Sequence, residues 1–433
     1  MDYATQPVRE QTEAIHTGAI TAETLVRQTR LSIERQEPGL SAWVALATNH
    51  IDHARTVDQT PDAGPLSGLS IGVKDLIDVA GLPTRAGSPV TPAGSAIRDA
   101  PCVARFRDLG AIVQGKTVTT EFGYFAPGPT RNPHAPNHTP GGSSSGSAAA
   151  VGAGTIPIAL GTQTAGSLTR PASFCGTAGM VLAPGATDLR GVAGLSTSLD
   201  SLGLLTRTVA DLHYVYTAFT GSPTPPTPVT ELSSALIWTG SDLGELHPAM
   251  AELLATVPDL LRAANLEPEK FDADDHVRTL TEDHATVMSY EAAHTLHDIY
   301  NHQRAALSSP LRALIEHGLG TPGIAHTAAL TRRDRSRDLL TTHLGHNTVI
   351  IGPAALGPAP AGLTATGSPI LSRAWQLLGC PVVIIPGGRT ADGLPLGLQL
   401  IGLPGDEPAL LTTATELEHN LRRQPSMSPP PAN

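Results

Sequence analysis

The run Thr139–Gly176, TPGGSSSGSAAAVGAGTIPIALGTQTAGSLTRPASFCG, opens on a stretch that admits opposite readings. Gly/Ser tracts such as GGSSSGS, residues 141–147, are by default flexible spacers. The residues that follow argue against a spacer. SAAAVGAG is a string of small residues that lets a helix approach a sheet closely, and IPIAL reads as a short buried strand. TQTAGS reads as a loop whose consecutive amides can face one point, the geometry of an oxyanion hole beside its own serine. A free linker needs no such order, so the run predicts an α/β enzyme site.

Outward from this run the pattern stays α/β. Residues 10–58 have helical spacing of apolar positions, and TAETLVRQT supplies a Thr cap with Glu in the first turn. From LSGLSIGVKDLIDVAG, residues 66–81, short β-branched runs bounded by Gly and Pro alternate with helical segments such as APCVARFRDLG. A Pro/Thr-rich connection at 221–231 leads to a mostly helical region over 242–345. The runs NTVIIGPAA, CPVVIIPGG and LPLGLQLIG then return as buried strands that complete the first sheet, and EPALLTTATELEHNLR closes as an amphipathic helix. The expectation is one catalytic domain over 1–420, with its core in roughly 61–220 and 346–415 and a variable helical region in roughly 225–345. Residues 421–433 have too little apolar content to pack and are expected to be disordered.

The bulk numbers exclude several classes. A net charge of −11, from 28 Lys+Arg against 39 Asp+Glu, argues against nucleic-acid binding, which needs a concentrated basic surface. Cys102, Cys175 and Cys380 are too widely spaced for a disulfide framework or a CxxC metal pattern, which suits free thiols in a reducing compartment. No apolar run approaches the ~20 residues of a membrane span, and the N-terminus lacks a basic start followed by an apolar run. The expected location is the cytoplasm, with no membrane and no nucleic acid as partner.

Several motifs invite chemistry and are better read otherwise. Gly110–Thr117, GAIVQGKT, satisfies GxxxxGK[ST] letter for letter, yet Ala111, Ile112 and Val113 look like a strand rather than a bare phosphate loop. Lys116 then reads as a structural residue at a strand end. Glu291, His294, His297 and Asp298 are spaced to share a helix face, but without an HExxH pattern they read as solvated helix-face residues rather than as a metal site. No metal or other cofactor is expected. GxSxG occurs as Gly142–Gly146 with Ser144 central, a cheap match within a run of serines.

One compositional feature bears on Lys74. Lysine occurs only three times, at 74, 116 and 270, while arginine supplies nearly all other positive charge. A base that must exist uncharged cannot be arginine, whereas a lysine buried beside neutral hydroxyls can be driven neutral.

The block quoted above resembles the amidase signature family, whose pattern runs GGSSSGS, an Ala-rich helix, G-T-[DQ]-T-[GA]-G-S and Pro-Ala-x-Phe-Cys-Gly. The resemblance continues through SGLSIGVKDLIDVAGLPTRAGS, GAIVQGKTVTTEFGY, STSLDSLG and GLPLGLQLIG, and covers most of the chain outside roughly 225–345. It implies a large twisted mixed β-sheet covered by helices and a Ser-Ser-Lys triad whose middle serine follows a cis peptide. By motif position these are Lys74, Ser143 and the nucleophile Ser167. The backbone amides of Thr164, Ala165 and Gly166 are implied as the oxyanion hole, with Ser144, Gln163 and Arg170 in support. On this reading GGSSSGS is a rigid bend holding a proton shuttle, its glycines permitting conformations that other residues resist.

The pattern also departs from the family. Gln163 and Ala165 stand where Asp and Gly are commonest, and Arg170 is displaced to sit before Pro171; these changes look like a branch with GTQT and a shifted arginine. Met180, Val181, Leu182 and Ala183 replace Leu-Lys-Pro-Thr, a change expected to alter a local loop near the substrate pocket. The resemblance implies hydrolysis of a small or medium carboxamide, the partner being a small-molecule amide, with a homodimer left open. Acyl transfer, a glutaminase-type subunit of an amidotransferase and a retired scaffold remain the alternatives.

Overall fold

The computed structural model describes residues 3–60, 62–221 and 232–423. The Pro/Thr-rich connection from 222 and the tail from 424 lie outside the described residues. Eleven strands among them join one sheet: β1 Trp43–Leu46, β2 Ser70–Lys74, β3 Ile112–Thr117, β4 Ile158–Gln163, β5 Ala178–Val181, β6 Ser201–Thr206, β7 Ser234–Ile237, β8 Glu267–Lys270, β9 Thr348–Pro353, β10 Val382–Arg389 and β11 Pro395–Ile401. Their order is β1-β3-β2-β4-β6-β5-β10-β11-β9-β7-β8. Parallel pairs β3–β2–β4 and β9–β7–β8 flank an antiparallel centre, so the sheet is mixed. The late strands complete the early sheet as expected, and the architecture is a single α/β domain.

Both faces of the sheet are buried under helices, which explains why its strands read as continuous apolar runs rather than alternating ones. Val382 and Ile384 of β10 pack with Ile350 and Ile401 in one core cluster, while Val383 and Ile385 pack with Val349, Leu398 and Leu400 in another. The period of two along a strand divides the aliphatic residues between two cores.

Three strands fall in segments read as helical. β1 lies inside the segment 10–58 read as helical, and β7 and β8 lie inside the variable helical region. β1 and β8 are four-residue edge strands, and β8 has the sequence EPEK, polar and largely exposed. An edge strand has one partner and needs no apolar face, so periodicity does not reveal it. The Thr cap does form: Thr21 Oγ1 accepts from Thr24 N–H at 3.1 Å, at the start of the helix Ala22–Leu40. Met180 and Val181 belong to β5, buried between β6 and β10, and Leu182 follows in register, so the altered stretch is mainly sheet core rather than a loop.

Candidate active site

The carboxyl ends of the parallel strands β3, β2 and β4 lie side by side, Lys74 being opposite Thr117. Lys74 ends β2, and the loop carrying Ser167 follows β4. Sites at the carboxyl edge of a parallel sheet arise this way, because strand ends stop together and their loops converge.

GGSSSGS is ordered by close packing. Gly141 has φ +81, and a Cβ there would lie 2.9 Å from the Pro171 Cα. A Cβ on Gly146 would lie 2.2 Å from the Ala42 carbonyl oxygen, so only glycine lets the helix Ser145–Gly152 dock this closely. The Ser147 hydroxyl ties the helix to the sheet by donating to Leu160 O at 2.8 Å. The Gly142–Ser143 peptide is cis, as the resemblance implied.

Ser143 Oγ lies 2.7 Å from Lys74 Nζ. The other partners of Nζ are the carbonyl oxygen of Thr162 at 3.2 Å and its hydroxyl at 2.8 Å. Lys74 is fully buried, and burial drives its pKa well below the ordinary lysine value, opposed by the charge of Asp200 nearby. A neutral amine fits these neighbours: its two hydrogens go to Thr162 and its lone pair faces the Ser143 hydroxyl. Ser144 stands behind this pair, its hydroxyl 3.2 Å from Thr162 O and its N–H donating to Ser167 O at 2.9 Å.

Ser143 and Ser167 line one tight cleft with Thr164, Ala165, Gly166 and Arg170, closed by Tyr124, Phe125, Leu195, Met288 and Pro369. Among the described residues the N–H groups of Ala165 and Gly166 have no protein partner. Gln163 organises the loop from below. Its side-chain oxygen accepts from Leu168 N–H and Thr169 N–H, both at 3.0 Å, and its amide nitrogen donates to Gln376 at 3.0 Å. An amide oxygen serves here as a carboxylate would, which accounts for Gln in place of Asp.

Arg170 is buried, and one guanidinium nitrogen donates to Gly142 O at 2.6 Å and Thr366 Oγ1 at 3.2 Å. Among the described residues its Nε and Nη1 have no hydrogen-bond partner, and its guanidinium carbon lies 5.8 Å from the Phe125 ring centroid. Burial, with Arg373 nearby, pushes its pKa down to about 9, so it remains cationic at neutral pH. All nine sequence-predicted site residues thus gather in or directly behind the cleft, whereas Val181, Leu182 and Ala183 do not line it.

Lys116 is the other buried lysine and sits 2.9 Å from the buried Asp75 carboxylate. The residues of GAIVQGKT from Ile112 to Thr117 are β3, so no phosphate loop forms there. Of the suspected metal-type group, His294, His297 and Asp298 are exposed. Glu291 is a correction: it is buried, accepting from Ser196 Oγ at 2.6 Å, Ser198 Oγ at 2.6 Å and Ser198 N–H at 2.9 Å. No group of three or more metal-ligating side chains occurs among the described residues, and none of their helices is long and apolar enough to cross a membrane.

Sequence reading misses Thr162, Asp200 and His284. Thr162 and Asp200 lie inside quoted motifs, GTQT and STSLDSLG, and buried partners give them their roles. His284 carries no motif signal, since its partner lies 120 residues away.

Comparison with known proteins follows the same lines. The family described as Amidase matches residues 25–411. The candidate amidase AmiA2 of Mycobacterium tuberculosis is 33% identical over 93% of this chain and 90% of its own length. A glutamyl-tRNA(Gln) amidotransferase subunit of Exiguobacterium sibiricum is 31% identical over 93% of this chain and 94% of its own length. A crystal structure of an amidase superposes with a TM-score of 0.85 at 27% identity, covering 96% of this chain and 100% of that one.

Proposed function

The chain belongs to the amidase family and acts on amide C–N bonds, and from that premise we propose that it hydrolyses a small carboxamide through Lys74, Ser143 and Ser167. The observation that carries the assignment is the 2.7 Å approach of Lys74 Nζ to Ser143 Oγ in a fully buried setting where its other partners are neutral. Ser167 Oγ attacks the amide carbonyl while its proton passes to Ser143, whose own proton passes to the lone pair of Lys74. The negative oxygen is held by the N–H groups of the Thr164–Gly166 loop. The lysine ammonium returns a proton through Ser143 to the leaving nitrogen, the C–N bond breaks, and an acyl ester remains on Ser167. Water then attacks the ester by the same relay, releasing the carboxylate.

We further infer that the substrate carries an anionic group. Arg170 lines the cleft together with Ser167 and carries a cationic guanidinium with no carboxylate partner, its Nε and Nη1 being buried without a hydrogen bond, and among the described residues no carboxylate lines the cleft. Release of ammonia, amine and acid from paired amides, each with a carboxylate or its neutral isostere, tests both steps. Ser167→Ala should abolish turnover and acyl-enzyme formation, and normal kinetics in that variant would end the assignment.

A glutaminase-type component of an amidotransferase is the second reading, favoured by the likeness to the Exiguobacterium protein. It requires ammonia release from glutamine and a stably co-purifying partner. The three free, buried cysteines support a reducing compartment, and we place the enzyme in the cytoplasm.

A further inference from the structure

The loop Thr164–Gly166 is held from outside the signature region by one helix, Asp274–Thr295. His284 on this helix is fully buried, and its Nε2 lies 2.8 Å from the Thr164 carbonyl oxygen. A carbonyl can only accept, so Nε2 carries the hydrogen. Burial drives the His284 pKa down to about 3, with the charge of Arg373 adding to the effect, so the ring is neutral at working pH.

The same residue is held a second time, through its side chain. The Thr164 hydroxyl donates to Asp200 at 2.5 Å, and the other Asp200 oxygen accepts from Leu195 N–H at 2.7 Å and Ser196 N–H at 3.0 Å. Two turns along the helix from His284, Glu291 clamps the 196–198 turn through the three serine hydrogen bonds described above. Burial alone would raise the Glu291 pKa, but those bonds and one from His326 hold it below the ordinary carboxylate range. Residues 284, 288 and 291 share one helix face, and Met288 between them lines the cleft.

We propose that His284, supported by Glu291, is a positioning residue that aims the Ala165 N–H at the developing oxyanion. In a trans peptide the C=O and N–H point in opposite directions, so a donor fixed behind the Thr164 carbonyl directs the Ala165 N–H into the cleft. Hydrogen bonding to that carbonyl also polarises the peptide and strengthens the N–H as a donor. The region of the chain outside the signature thereby sets the geometry of a signature loop.

The inference rests on Ser167 as nucleophile and 164–166 as oxyanion loop. Its test is labelling of Ser167 by a fluorophosphonate, whose phosphonyl oxygen develops charge in the same place, so no substrate need be identified. His284→Asn is too short to reach Thr164 and should lose about 10- to 100-fold in maximal labelling rate, with the half-saturating concentration little changed. His284→Gln places an amide N–H near the original Nε2 and should retain most of the rate. Glu291→Gln, with volume kept, should fall in the same direction by less. Equal rates for the Asn and Gln variants, or a loss carried by the half-saturating concentration alone, overturn the proposal. Undiminished labelling of Ser167→Ala would instead overturn the catalytic assignment beneath it.

Discussion

The chain buries two lysines on neighbouring strands, and they live in opposite surroundings. Lys116 on β3 faces the Asp75 carboxylate at 2.9 Å, with Pro83 O and Thr84 Oγ1 as further acceptors. Lys74 on β2 faces a serine hydroxyl and the two oxygens of Thr162. Both are fully buried, and burial lowers both pKa values, but only Lys116 has a carboxylate in contact to favour its ammonium. A buried lysine beside a carboxylate is an ion pair that shapes the fold; one beside neutral oxygens has the surroundings that the proposed function asks of its base. The difference lies in the partner rather than in the residue or its depth.

The strongest way to break this contrast is at Lys74. Lys74→Arg preserves charge and approximate length but cannot supply a lone pair, so it should lose nearly as much activity as Lys74→Ala, about 100- to 10,000-fold in kcat. Circular dichroism should report an intact fold for both. In wild type, activity should rise with pH as the ammonium sheds its proton, along a limb lying below the ordinary lysine value of 10.5 because burial depresses the pKa. Near-normal turnover by folded Lys74→Arg would leave Lys74 as a fixed positive charge only.

Lys116→Met should act on stability instead. It leaves Asp75 buried without its cation and should cost about 3–5 kcal/mol in urea unfolding. Adding Asp75→Asn, which removes the stranded charge, should recover a large part of that. A loss in the double variant equal to that in Lys116→Met would mean that the carboxylate is not the reason.

How far this contrast was legible beforehand depends on where each partner lies in the chain. GGSSSGS, GTQTAGS and GVKD are each unbroken stretches, so the family resemblance could assign Ser143, Ser167, the 164–166 loop and Lys74 by motif position. The buried state of Lys74 agrees with the scarcity of lysine and the need for a neutral base. Asp75 is adjacent to Lys74 in sequence, yet nothing in GVKD announces that it pairs with Lys116 across two strands. His284 and Glu291 were further out of reach: each meets its partner across about a hundred residues, and on a polar helix a buried acid is spelled like an exposed one. The edge strands β1 and β8 escaped for the related reason that one-sided pairing leaves no periodic trace.

Arg170 offers a smaller test, of what the cleft selects. Arg170→Met keeps much of the apolar stem while removing the unpartnered guanidinium nitrogens, so kcat/KM for a carboxylate-bearing amide should fall about 10- to 100-fold. The neutral isostere should lose much less. Equal losses on both would assign the arginine to holding Gly142 and Thr366 rather than to the substrate.

The smallest effect is expected at Thr162, and it bears directly on how Lys74 is kept neutral. The Thr162 hydroxyl is one of three oxygens around Nζ. An ammonium has three hydrogens to place and an amine two, so losing one acceptor destabilises the charged form more than the neutral one. Thr162→Val preserves shape and the backbone carbonyl while removing that acceptor. The Lys74 pKa should fall, and the rising limb of the pH–rate profile should move to lower pH. The plateau should drop by only about 2- to 10-fold, since one hydrogen bond positioning the amine is worth about 0.5–1.5 kcal/mol. A limb displaced to higher pH would mean that the hydroxyl works by keeping the lysine neutral, and the account of a base discharged by burial among neutral oxygens would have to be reversed.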